Sequence, residues 1–173
     1  MAYFTAVIAR SGRSWKTRDV EVDDAGSLDE LADVLRAASV GDQPVLAVIE
    51  HEDEWFALVR VDGDDEPRLF VSDLAACSVG HYATLLASAA DVDVHDDDPV
   101  DPDAEDDEDD EEAPDEEEPV IAAWAGDTDL LDDLGVSARA LRKLSEEKGD
   151  DPSAVLAEIG ETVGFAELLE ALR

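Results

Sequence analysis

Four side chains are of the types that do nucleophilic or metal chemistry near neutral pH: Cys77 and the histidines His51, His81 and His95. Cys77 is the sole cysteine, which rules out an internal disulfide and a cysteine metal cluster. A nucleophilic thiol needs a base beside it, and His81, four residues on, is the one local candidate. Without that partner a lone cysteine reads as a small buried hydrophobe. The histidines have no second ligand at helical or finger spacing, so no zinc site is expected. Asp91, Asp93 and His95 alternate like the start of a calcium loop, but the sixth position is Asp96 instead of Gly and the twelfth is Pro102 instead of Glu. Asp62-Gly63-Asp64 likewise lacks a downstream glutamate. There is no G-x-G-x-x-G, phosphate-binding loop or G-x-S-x-G. Carboxylates are too abundant to nominate an acid–base pair. No catalytic residue, metal or cofactor is therefore expected.

One stretch could do recognition instead. Residues 1–18 contain no acid and four bases, Arg10, Arg13, Lys16 and Arg18, with Trp15 among them. On a hairpin these five residues would form a small basic, aromatic patch. Such a patch suits RNA phosphate and a stacked base. It equally suits an ordinary strand face, or a dock for the chain's own acids.

Those acids dominate the molecule. The 173 residues include 48 Asp plus Glu against 12 Lys plus Arg, for a net charge of −36. A run of 28 residues, Asp91 to Glu118, holds 19 of the acids and no base. Proteins that coat a phosphate backbone gain most of their affinity from Lys and Arg, so direct nucleic-acid binding is disfavoured. An anionic membrane surface is disfavoured for the same reason. No segment approaches the apolar length of a membrane helix, and the start of the chain lacks the ordered regions of a signal peptide. A cytoplasmic location is expected. The absence of Asn and the scarcity of Lys and Ile suggest a GC-rich genome, so part of the acidity reflects codon supply.

The elements that would position these residues follow from periodicity and turn chemistry. Tyr3–Arg10 and Trp15–Val22 read as a hairpin about Ser11-Gly12-Arg13-Ser14. Ser27-Leu28-Asp29-Glu30 is a capping box, and Leu28, Leu31, Ala32 and Leu35 follow as one helical stripe. Val45–Ile49, Trp55–Val61 and Arg68–Val71 read as an antiparallel meander. Val45–Ile49 is apolar without alternation, as in a central strand covered on both faces. Asp73 caps a last helical stretch with Val79, Tyr82, Leu85, Leu86 and Ala89, weakened at Gly80. The order β-β-α-β-β-β-α implies an α+β domain over residues 1–90, a mostly antiparallel sheet with helices on one face. Residues 91–118 read as an acidic disordered linker. Residues 119–173 read as a helical C-terminal region. In it Val120–Trp124 is a short strand or an extended packing segment. Ser137 caps one helix, and Asp151-Pro152 opens another. This region is expected to dock on the sheet or on a partner.

Several of these blocks carry a resemblance. The N-terminal run Met1–Val7, Asp53–Val61, Arg68–Asp73, Asp129–Gly135 and the ending Gly164–Leu172 together resemble the actinobacterial family of tRNA adenosine deaminase-associated proteins. The resemblance covers both folded parts and leaves out the acidic run. It implies no established activity and supplies no catalytic or binding residue; with the missing catalytic set it leads to the expectation of a non-catalytic accessory protein associated with a tRNA adenosine deaminase. The chain is not expected to be the deaminase itself. That chemistry needs an H-x-E element and a P-C-x-x-C element around zinc, and neither is present. Two other readings stay open: an acidic nucleic-acid mimic or regulator that occupies basic partner surfaces, and an unrecognised enzyme.

Overall fold

The structure, a computed structural model, describes residues 3–91 and 123–173. Nearly all of the acidic run expected as a linker, and with it His95, lies outside the described residues. Six antiparallel strands form one sheet in the order β2-β1-β3-β4-β5-β6. They are β1 (Tyr3–Ser11), β2 (Ser14–Arg18), β3 (Pro44–His51), β4 (Trp55–Asp62), β5 (Arg68–Val71) and β6 (Ala125–Gly126). The β1–β2 loop is two residues long, with Gly12 at φ 66° in its first position. A positive φ there lets the loop follow the twist of the strands. The second strand of this hairpin ends at Arg18, short of the expected Val22. Val22 turns inward and is buried against α1.

Helix α1 (Leu28–Ala38) forms where the capping box sits. Ser27 Oγ accepts from the Glu30 N–H, and Glu30 reaches back one residue further than a standard box, to the Gly26 N–H at 2.7 Å. Leu31, Ala32 and Leu35 are buried, as their spacing requires. After β5, the expected single helix is two short ones, α2 (Leu74–Cys77) and α3 (Ala83–Leu86), followed by a 3-10 turn at Ala87–Asp91. Asp73 caps α2 through the Ala76 N–H. Gly80, at φ 122°, breaks the path. Val79 falls off the apolar stripe as a result and is 78% exposed.

Strands β3 and β4 run through the middle, and their residues alternate between two separate cores. On one face Val45, Ala47, Ile49, Ala57 and Val59 meet α1, α2 and α3. On the other face Leu46, Val48, Phe56, Leu58 and Phe70 meet the C-terminal segment. That segment is a 3-10 helix (Thr128–Leu134), α4 (Ala138–Glu147), α5 (Pro152–Val163) and α6 (Ala166–Leu172). Gly135 and Gly164, at φ 103° and 104°, end the first and third of these. The C-terminal helices therefore pack on the sheet domain, on the face opposite α1. Of the strand or packing segment expected over Val120–Trp124, residues 120–122 lie outside the described residues and Ala123 and Trp124 are not in a strand; β6 follows directly after them. It pairs with β5 and also packs against the 3-10 turn Ala87–Asp91.

Candidate interaction surface

The five residues of the basic hairpin do not share one face. In the β1–β2 register Arg10 lies opposite Trp15, Ala9 opposite Lys16 and Val7 opposite Arg18. Side chains alternate along a strand, so Arg10 and Trp15 project to the side of the C-terminal helices, and Lys16 and Arg18 to the side of α1. Trp15 is only 7% exposed. It meets Phe165 edge-on at 6.1 Å, and its Nε1–H donates to the Val163 carbonyl at 3.2 Å. Its ring is committed to the interior and offers no platform to a base. Arg10 lies 5.8 Å over that ring, and its Nε–H donates to the Gly12 carbonyl. Arg13 and Lys16 are exposed. Arg18 lines a slot of about 290 Å³ with Thr5, Thr17 and Leu172, where β2 parts from β1.

The residues with catalytic types are equally settled in the fold. Cys77 is buried, its Sγ 3.3 Å from the Leu74 carbonyl. Burial, and then the charge of Asp73, push its thiol up to about 11, so it stays protonated and weakly nucleophilic at neutral pH. A His81 ring nitrogen contacts the Asp23 carbonyl at 2.6 Å. Tyr82 donates its hydroxyl to the same residue's carboxylate, and burial followed by that bond raises its pKa. His51 is buried against Tyr3 at 4.5 Å and Trp55 at 5.8 Å. Its Nδ1 lies 2.8 Å from a Glu54 carboxylate oxygen without the alignment of a hydrogen bond. Among the described residues, no three His, Cys, Asp or Glu side chains converge in a way that could hold a metal ion.

Buried charge goes instead into tying the C-terminal segment to the sheet. Arg60, 3% exposed on β4, donates to both carboxylate oxygens of Asp133 and to the Leu130 carbonyl at 2.7 Å. Its Nη2, one of the two nitrogens that serve Asp133, also donates to Asp62 at 2.8 Å. Burial alone would lower its pKa, but the bonds to Asp133 and Asp62 outweigh that and raise it. Asp133 is held below the usual carboxylate range by the same Arg60. A second tie joins Glu50 on β3 to Arg173, whose guanidinium also lies 5.0 Å over Phe4. Burial raises the Glu50 pKa against the pull of Arg173. Removing one member of a buried charged pair leaves the other uncompensated, so such ties fix position firmly even where their net contribution is small.

The most concentrated positive surface is one that the sequence reading passed over. Arg139, Arg142 and Lys143 stand at i, i+3 and i+4 on α4, opposite the buried Leu141. They line a hollow of about 450 Å³ with Trp124 and Glu146. Trp124 stacks on Phe70 at 6.2 Å, and its Nε1–H donates to Glu146 at 3.2 Å. The spacing of three cations after the Ser137 cap was a usable signal, but the N-terminal cluster drew attention because no acid interrupts it.

A single sheet clad on both sides, with its buried charges used between layers, defines a small α+β protein. Within that class the chain belongs to the Rv3753c-like tRNA adenosine deaminase-associated protein family, whose model matches residues 3–166. The match runs across both helical layers, and the family is that of the associated protein, distinct from the deaminase. No curated protein and no solved structure matches the chain. None of its described helices is long and apolar enough to cross a membrane.

Proposed function

We propose that this chain is a non-catalytic accessory protein that associates with a tRNA adenosine deaminase in the cytoplasm. The family match over residues 3–166 carries the reading. The state of the reactive side chains supports it. Cys77 is buried and protonated, and His51 is enclosed by aromatic rings. Exposed Arg13 and Lys16 on the hairpin are a surface available to a partner. The test is co-purification of the two proteins at physiological salt, followed by calorimetry. A complex at micromolar concentration is expected, and its absence would remove direct association.

A second reading draws on the concentration of 19 acids in residues 91–118. In that reading the acidic run occupies a basic surface of the partner. The two separate cleanly. Deleting the run abolishes binding if it is the contact and leaves binding intact if the folded layers suffice.

A further inference from the structure

We propose that the hollow between Trp124 and α4 is a docking site for a polyacidic segment, and that its occupant is residues 105–118 of this same chain. Three of the twelve basic residues stand within five positions on one helical face, in a molecule of net charge −36. Arg139 has no partner among the described residues, and Lys143 has only an exposed contact to Glu147 at 3.8 Å. Such a contact contributes little, so Arg139 and Lys143 keep capacity for acidic groups.

Chain connectivity selects the occupant. Twelve of the fourteen residues from 105 to 118 are Asp or Glu, and Glu118 precedes Trp124 by six positions. Trp124 itself forms a wall of the hollow. Six residues reach at most about 20 Å, and α4 is about 15 Å long. The last acids thus join the fold beside the cations. A short tether gives an effective concentration on the order of millimolar, against which a free polyanion must compete. Docking in cis would neutralise this cationic face and keep phosphate backbones off it. The contact is made of exposed charges, so it weakens as salt rises.

The test uses the full-length chain with residues 105–118 replaced by a Gly/Ser sequence of equal length, and a labelled peptide of residues 105–118 titrated at low salt. The replaced chain should bind the peptide and the intact chain should not. Arg139→Gln with Lys143→Gln should weaken peptide binding by about fivefold. Lys148→Gln, at a cation already paired with Glu158, should leave it unchanged. Circular dichroism confirms that each variant is folded. Failure of the peptide to bind the replaced chain, or binding indifferent to Arg139 and Lys143, overturns the proposal. A single-stranded oligonucleotide of equal charge that binds the replaced chain more tightly than the peptide also overturns it, and makes the hollow a nucleic-acid contact.

Discussion

The two faces of the sheet are covered in different ways. Against α1 the strands present Ala9, Ala47 and Ala57 among valines, with Ile49, Trp55 and Leu69 beside them, and the covering helices come from the same stretch of chain as the strands. On the opposite face they present Phe56, Phe70 and leucines, and the cover arrives from residues 123–173. On the first face the side-chain polar ties, such as Tyr82 to Asp23, stay within residues 3–91. The second adds specific ties: Arg60 to Asp133, Glu50 to Arg173, and the Trp15 indole to the Val163 carbonyl. The first face is set by local sequence. The second is a long-range contact, and its polar ties fix where a distant segment must sit.

The largest break in this comparison should come from the face that the C-terminal segment covers. Phe56→Ala removes a fully buried ring between sheet and C-terminal helices, and should destabilise the protein by about 3–5 kcal/mol in urea denaturation. If the two faces are separately stable, hydrogen exchange in α5 will accelerate well before that in α1. Equal acceleration would show that the sheet couples both layers into one unit.

Asp133→Asn weakens the tie to buried Arg60 and should cost about 2 kcal/mol, discounted because Asp133 is partly exposed. The two ties should also differ in sign with pH. Asp133 has a lowered pKa, so its contribution is present above its ordinary value and is lost as pH falls through the folded one. Glu50 has a raised pKa, so its effect is the reverse: stability is lost as pH climbs from the ordinary glutamate value, about 4.3, through the folded one. Stability–pH curves of Asp133→Asn and Glu50→Gln should therefore flatten opposite slopes. Matching changes in the two variants would refute the assignment.

On the local face, Ser27→Ala removes the cap of α1 and should cost about 1 kcal/mol in thermal or urea unfolding. The smallest effect is expected at Val79, off the stripe and in solvent. There Val79→Ser should change stability by less than about 0.5 kcal/mol. A larger loss would mean that something covers that residue.

The contrast between the faces also explains what could be read from the sequence. The hairpin, α1 and the β3–β4–β5 meander depend on neighbours within a few residues, on Gly12, on the Ser27 cap and on runs of β-branched side chains. All are visible in order along the chain. The double burial of Val45–Ile49 was legible too, because only a strand covered twice stays apolar at every position. Pairings across a hundred residues leave no such trace. Trp15 beside Arg13 and Lys16 has the composition of a recognition patch, and only Phe165 and Val163, far along the chain, turn it into core. Val79 has the right spacing for a buried stripe, and the backbone turn at Gly80 takes it out. The three cations of α4 had readable spacing, but the hollow they make needs Trp124 placed by Phe70.

The packing of β6 against both β5 and the turn at Ala87–Asp91 has a consequence for engineering. It brings the last described residue before the acidic run and the first ones after it to the same corner of the sheet. A loop whose two ends are pinned together loses only about 0.6 kcal/mol per doubling of its length. Glycine is obligatory at that corner, since a Cβ at Gly126 would lie 2.1 Å from the Leu69 carbonyl oxygen. The chain thus carries a natural insertion port. A fluorescent or affinity module placed within residues 92–104, clear of the segment proposed to dock, should leave both layers folded and would let the partner be sought in cells.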